Sequence, residues 1–194
     1  MSPVSIQVTS TLQLRSWEPS SAAALFALVD ANRSALSSWL PWVPRIREES
    51  DSLAFIERAI KETSQDSGLE LGIFFQDTLV GCIGLHELDW EHKKTSIGYW
   101  LSAPYQGKGI MTASVRALVE YVFSTLQCNR VEIRAASDNE KSRAIPIRLG
   151  FKQEGVLRQA EFVEGKFLDT VVYGMLKSEW NVGQRTPLTT GTIG

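Results

Sequence analysis

The chain has 194 residues, 43% of them apolar and 22% charged, with a net charge of −2. That is the composition of an ordinary globular chain with a sizeable core, and it lacks the basic footprint that nucleic acid demands. No apolar run approaches the roughly 20 residues of a membrane helix, and the start M-S-P-V-S-I-Q-V-T-S has neither the positive charge nor the apolar stretch of a signal peptide.

Two cysteines, Cys82 and Cys128, sit outside any C-x-x-C pair, and His86 and His92 are too few for a metal site of their own. These readings predict a cytoplasmic protein without membrane or nucleic-acid partners. They also predict a single domain over residues 1–194, its core at about residues 10–180.

Taken in order, Leu12 to Trp17 reads as a strand with Leu12 and Leu14 on one face. Pro19-Ser20-Ser21 opens a helix that Ala22 to Val29 continues, and Arg33 to Leu40 is a second, short helix stopped by Pro41. Trp39-Leu40-Pro41-Trp42, with Pro44 beyond, makes a rigid aromatic corner, either a packed loop over the core or the wall of a substrate pocket. Ser50 or Asp51 caps a helix with Leu53, Ile56 and Ile60 on its apolar face, which ends near Ser67-Gly68. Leu69 to Phe75 and Leu79 to Leu88 form a hairpin about Gln76-Asp77-Thr78, with Cys82 as a small core residue, and Trp90 to Lys94 is a polar turn.

Ser96 to Ser102 is a strand in which Ile97, Tyr99 and Leu101 alternate with Ser96, Gly98 and Ser102. It breaks at Ala103-Pro104 and gives way to the tight loop Gln106-Gly107-Lys108-Gly109. Ile110, Val115, Leu118, Val119, Val122, Phe123 and Leu126 follow at near-helical spacing. Strand, glycine loop and helix in this order aim backbone N–H groups and the positive helix end at one spot, where an anion can sit. The glycines let the backbone approach a phosphate, and Lys108 either adds charge or faces solvent. The loop is not the phosphate loop of nucleoside triphosphatases, and Thr112 stands where a dinucleotide fingerprint needs glycine. On residue chemistry alone it is either a phosphate site or only a turn.

Asn129 to Ala136 is a further strand, and Asn139 to Leu149 a short helix whose regularity Pro146 limits. Phe151 to Val163 and Phe167 to Leu176 form a last hairpin about Glu164-Gly165-Lys166. The tail after Trp180, ending T-P-L-T-T-G-T-I-G, is expected to fray.

Two blocks, Gln106 to Met111 and Asp138 to Phe151, together resemble the GNAT superfamily of acyl-CoA-dependent N-acetyltransferases. Its pyrophosphate signature, Q/R-x-x-G-x-G/A, is met by Gln106 and Gly109, with Met111 a departure at the last small position. Its later signature, N-x-x-S/A ending in G-F, is met by Asn139, Ser142, Gly150 and Phe151. W-L-P-W at Trp39 to Trp42, I-G-Y-W-L at Ile97 to Leu101, G-K-G-I-M-T at Gly107 to Thr112 and R-Q-A-E-F at Arg158 to Phe162 are similar to the ribosomal-protein N-acetyltransferase branch, of the ribosomal-protein-serine (RimL-like) kind. The likeness runs from Leu12 to Trp180. It implies an α/β fold, with a mixed, mostly antiparallel sheet of about seven strands flanked by helices and split between its fourth and fifth strands. It also implies acetyl-CoA as co-substrate, no metal, an acceptor amine and, as an open option, a homodimer.

Acetyl transfer from a thioester to an amine needs a neutral amine, a stabilised oxyanion and a proton for the departing thiolate. By the resemblance, the strand splays near Gly98 to Leu101 to admit the pantetheine arm. Trp100 and Leu101 contact the arm, and the Leu101 N–H is the oxyanion donor. Gln106, Gly107, Lys108, Gly109, Ile110 and Met111 hold the pyrophosphate, Asn139 lies beside the arm while capping its helix, and Trp39 and Trp42 border the acceptor. Many members place a tyrosine general acid four residues before the G-F glycine. That position is Pro146 here, so Ser142 becomes the proton donor, unless it is only a polar first-turn residue.

Glu161 is the general base or an exposed strand carboxylate. An α-amino group has an ordinary pKa near 8 against about 10.4 for lysine, which favours a peptide N-terminus over a lysine chain as acceptor, and the resemblance implies that of a ribosomal protein first. The alternatives are an acetyltransferase for a small amine, polyamine or antibiotic, and a non-catalytic acyl-CoA sensor.

Overall fold

The computed structural model describes residues 3–183. The expected fraying of the tail T-P-L-T-T-G-T-I-G lies outside the described residues.

Alternating apolar side chains along the long strands need cover on both faces, and the fold supplies it around one sheet. The strands are β1 (Ser5–Gln7), β2 (Leu12–Ser16), β3 (Leu69–Phe75), β4 (Thr78–Asp89), β5 (Lys94–Leu101), β6 (Arg130–Ala136), β7 (Lys152–Val163) and β8 (Lys166–Leu176). Their order is β1-β2-β3-β4-β5-β6-β8-β7. Every neighbouring pair is antiparallel except β5 and β6, which run parallel. The sequence predicts about seven strands, whereas eight are described. The additional one is β1, whose three residues are too few for an alternation to register.

A parallel pair needs a crossover. Here it is α4 (Ile110–Ser124), which buries Ile110, Met111, Ser114, Val115, Leu118, Val119, Val122 and Phe123. All of these but the polar Ser114 join Leu14, Leu71, Ile73, Ile83, Leu85, Ile97 and Leu101 in the larger core cluster, beneath one face of the sheet. The opposite face carries α1 (Ala22–Ala31), α2 (Arg33–Ser37) and α3 (Glu49–Ser64), whose Leu25, Val29, Leu36 and Ile56 pack with Trp17 and Cys82 in a second cluster. Both cysteines are free thiols and buried.

Local chemistry shifts some boundaries. The start of α3 is capped by Glu48 and Asp51, which bond each other's backbone N–H groups in a capping box. Its end falls at Ser64, short of Ser67-Gly68, because the chain turns at Asp66 with φ of 54°. The helix α5 (Glu140–Arg148) runs on through Pro146, and α6 (Lys177–Gly183) follows β8. Among the described residues no helix is long and apolar enough to cross a membrane.

Candidate active site

β5 and β6 pair from Lys94↔Arg130 to Ile97↔Ile133 and then part, although β5 continues to Leu101 and β6 to Ala136. The split therefore starts at Gly98. The Ser102 N–H donates to the Val80 carbonyl at 2.9 Å. Antiparallel alternation then turns the Trp100 backbone groups toward β4, and those of Tyr99 and Leu101 toward the opening. The Leu101 carbonyl is taken there by Gln106 Nε2 at 3.0 Å. The Leu101 N–H faces the same gap, the orientation an oxyanion donor requires.

At the end of β5 the glycine loop leads into α4. Gly107 and Gly109 have φ of 74° and 76°, and Gly109 is the N-cap of the helix. A left-handed N-cap leaves the first-turn N–H groups of α4 pointing out of the helix end beside those of the loop. The loop is braced from three sides. Asn32 Oδ1 accepts from the Ala103 N–H at 2.9 Å, Lys141 Nζ donates to Gln106 Oε1 at 3.3 Å, and Arg148 donates to Thr112 Oγ1 at 2.8 Å. Lys108 is exposed, its ammonium 5.3 Å from the Tyr105 ring centre. The side chains of Ile110 and Met111 are buried in the main core. Met111, the departure from a small residue, thus points away from the loop surface and leaves the backbone N–H free of its bulk.

Across the split stands the first turn of α5. Asn139 caps it, its Oδ1 accepting from the Ser142 N–H at 3.1 Å. Pro146 has no N–H to return to the Ser142 carbonyl, four residues earlier. That carbonyl accepts instead from the Tyr99 hydroxyl of β5 at 3.0 Å, and Ser142 Oγ lies 3.5 Å from the same phenol. Burial pushes the Tyr99 hydroxyl up to about 12, against the opposing pull of its bond to Ser142. Arg143 locks the turn from behind, donating to Tyr173 Oη at 3.0 Å and to the Ser137 carbonyl at 2.7 Å.

The aromatic corner meets the site on the other face of the sheet. Trp42 and Trp100 are 6.3 Å apart between ring centres, tilted by 51°. Trp39 is half-buried one step earlier, its N–H bonded to the Leu36 carbonyl. Glu161 is half-buried on β7, opposite Leu168 of β8. The last β6 residue, Ala136, pairs with Thr170, so Glu161 lies just past the end of β6, at the end of the sheet where the split opens. A bulge between Leu157 and Glu161, with Gln159 at φ 53° and its N–H on Asp169 Oδ1 at 2.8 Å, re-aims this stretch.

A family profile described as an acetyltransferase (GNAT) domain matches residues 11–152. The chain belongs to the GNAT acetyltransferase family. It is similar to the ribosomal N-acetyltransferase candidate YdaF of Bacillus subtilis (strain 168), 38% identical over 178 residues that span 90% of this chain and 96% of YdaF. The solved structure of RimL, a ribosomal L7/L12 α-N-protein acetyltransferase in complex with coenzyme A, superposes with a TM-score of 0.87 at 29% identity, covering 89% of this chain and 98% of that one. The microcin C7 self-immunity acetyltransferase MccE, in complex with acetyl-CoA and AMP, gives 0.84 at 32% identity, over 87% and 94%. The protein is accordingly an N-acetyltransferase with the GNAT fold.

The residues present suit the coenzyme that these GNAT neighbours hold. A Cβ placed on Gly107 or Gly109 would meet nothing within 4 Å, so the loop surface is open for a pyrophosphate to reach its N–H groups. The structure brings Gln106, Gly107, Gly109 and the first turn of α4 together at one end of β5, with Leu101 at the split and Asn139 and Ser142 across it. Trp42 and Trp100 lie on the opposite face, so Trp100, expected at the pantetheine arm, turns its backbone to β4 and its ring away from the glycine loop, and Trp39 makes no ring contact with either. Among the described residues no cluster of three or more His, Cys, Asp or Glu side chains could hold a metal. Sequence reasoning missed the roles of Tyr99, read only as one of the alternating residues of its strand, and of Asn32. The position of Pro146 was the available signal for Tyr99, since a helical proline always frees the carbonyl four residues back.

Proposed function

We propose that this N-acetyltransferase moves the acetyl group of acetyl-CoA to the α-amino group of a protein N-terminus, that of a ribosomal protein first. The observation that carries this reading is the split. One face opens to the glycine loop and the first turns of α4 and α5, the other to the Trp42–Trp100 pair, so donor and acceptor can approach from opposite sides. The names of RimL and YdaF support a ribosomal acceptor.

In this reading the backbone N–H groups of Gly107 to Met111 hold the pyrophosphate, and Lys108 adds a positive charge at the loop. Asn139 fixes the turn that presents Ser142, and Trp100 lines the split on the acceptor side with Trp42 and Trp39. The amine attacks the thioester directly. The Leu101 N–H stabilises the oxyanion, Glu161 accepts a proton from the nitrogen through water, and Ser142 returns one to the sulfur. The protein works in the cytoplasm as one domain, either as a monomer or as a homodimer, which sedimentation would decide.

Thiol release from acetyl-CoA, followed with N-terminal peptides of ribosomal proteins, lysine peptides, spermidine and other small amines, tests the acceptor. Turnover confined to free α-amines supports the proposal. MccE, named for self-immunity to microcin C7, favours a second reading, an antibiotic-like acceptor. Turnover with small amines alone would replace the first reading by the second.

A further inference from the structure

A carboxylate–imidazole pair lies on the acceptor face of the sheet, apart from the residues assigned above. Glu70 of β3 is opposite Gly84 of β4, which is opposite Gly98 of β5. The Glu70 side chain is only 12% exposed and lies across Gly84, where a Cβ would stand 2.3 Å from its Oε2. Its Oε1 is 3.4 Å from His86 Nδ1, and its Oε2 accepts from Cys82 Sγ at 3.4 Å. The His86 side chain is 52% exposed, and its ring leans over the second glycine, where a Cβ on Gly98 would be 2.5 Å from Nε2.

One imidazole nitrogen therefore faces a carboxylate, and the other lies over the residue at which β5 leaves β6. Trp100, with Trp42 against it, is the next side chain on that face, roughly 7 Å further along the strand. The two glycines have a reason: any side chain at either would displace the carboxylate or the imidazole. Arg58 and Glu62 of α3 exert opposing fields on Glu70, and the β5 groups nearest His86, Thr95 and Ser96, are neutral hydroxyls bonded to its backbone carbonyl.

We infer that His86, oriented by Glu70, takes the first proton from the acceptor's ammonium group on its arrival at the split. The inference rests on acetyl transfer to an amine, and the proton balance calls for it. A protonated amine that becomes a secondary amide loses two N–H protons. Its lone pair forms the C–N bond, the C–S bond breaks, and the sulfur keeps that electron pair. One of the two protons ends on the thiol and the other in solvent. Ser142 and Glu161 serve the step in which bonds to carbon change, whereas the first proton must leave before the lone pair exists. His86 is suited to that earlier step, because its Nδ1 faces the Glu70 carboxylate while its exposed edge can pass the proton to water. Burial pushes the Glu70 carboxyl up, and the His86 beside it pulls it back down. His86 reaches the amine directly or through one water; Glu70 is a positioning residue.

The test is kcat/KM against pH for wild type, His86→Gln and Glu70→Gln, with the best amine found by thiol release. His86→Gln should lose on the order of 10² in rate near neutral pH, regain wild-type rate once the amine is neutral unaided, and bind acetyl-CoA normally by calorimetry. Imidazole added to His86→Ala should restore part of the rate. Glu70→Gln should keep the acid limb but move it to lower pH, a change that mere loss of packing would not cause. Wild-type pH profiles in both variants, or a loss in His86→Gln that persists unchanged at high pH without imidazole rescue, overturn the inference. The wild-type substrate panel judges the acceptor reading separately: a small-amine acceptor would sink that reading and leave the His86 ratio measurable on the new substrate.

Discussion

Tyr99 donates its hydroxyl to the one carbonyl that Pro146 leaves without a helical partner. The proline that removes the family's usual tyrosine thus draws a different phenol, from a different strand, onto the same turn, 3.0 Å from the Ser142 carbonyl. The Tyr99 proton is engaged with that carbonyl and its pKa is pushed up to about 12, so Tyr99 anchors the turn, and the proposal gives the proton donation to Ser142. Ser142→Ala should lower kcat more than it raises KM, the pattern of an interaction made in the transition state. Tyr99→Phe should cost about 1 kcal/mol of stability in urea unfolding and less of the turnover. The reverse ranking in kcat would make the phenol the acid.

Gly109→Val places a branched residue at φ 76°, at a cost of roughly 1–3 kcal/mol. The added side chain projects into the open space above the loop, where it touches no protein atom. Circular dichroism should show a native fold, while calorimetry should show acetyl-CoA affinity at least tenfold weaker. Native affinity would reduce the loop to a simple turn.

Glu161→Gln retains shape and loses only basicity. A positioned base contributes roughly 10² to 10⁴ in rate, so the variant should fall on that scale near neutral pH and recover only in part as the amine deprotonates. Full activity at every pH would leave Glu161 a plain strand carboxylate.

Trp42→Ala removes half of the aromatic pair on the face proposed to receive the acceptor. The acceptor KM should rise about tenfold, equivalent to about 1.4 kcal/mol, with acetyl-CoA affinity unchanged. A coenzyme defect without an acceptor defect would move Trp42 to the other side of the reaction.

Acid should loosen the far half of the sheet. Arg130 bonds Glu154 at 2.7 Å and Glu132 at 3.1 Å, and Arg134 bonds Glu132 at 3.0 Å. The bond from Arg130 holds the Glu154 carboxyl below its ordinary value. For Glu132, burial works the other way, but the two guanidinium groups outweigh it. The folded state thus binds fewer protons than the unfolded one. Stability from both groups is complete above the ordinary glutamate pKa of about 4.3 and is lost as pH falls through their lowered values. Glu154→Gln should cost up to about 1 kcal/mol at pH 7, as expected for a partly exposed pair, and flatten the decline of the urea midpoint below pH 5. An unchanged slope would show that these pairs carry no acid sensitivity.

Alternation and glycine punctuation were enough to place β2 to β8 and α4 to within a few residues, because those elements carry a core face longer than one turn or pleat. β1 was illegible, since three residues hold too little pattern. The glycine loop was legible from its residues as a strand-to-helix turn that could hold an anion, and the start of the split only through the family resemblance. What the sequence could not show were partnerships across the sheet. Asn32 on Ala103, Tyr99 on Ser142 and Glu70 on His86 join residues far apart in the chain. Only the register of β3, β4 and β5, and the positions of α1 and α5, make them neighbours.

The β5–β6 ladder holds only from Lys94↔Arg130 to Ile97↔Ile133. Its shortness makes the sheet two plates joined by a narrow seam, with the α4 crossover as the strap between them. One plate carries the glycine loop, Leu101, His86 and both tryptophans of the pair. The other carries Ser142 and Glu161. Sub-global opening along that seam would part Leu101 and His86 from Ser142 and Glu161, while each plate kept its own ladder and core. Activity should therefore fade on heating before the helices and strands melt, and amide exchange at Thr95 to Ile97 should report the loss first.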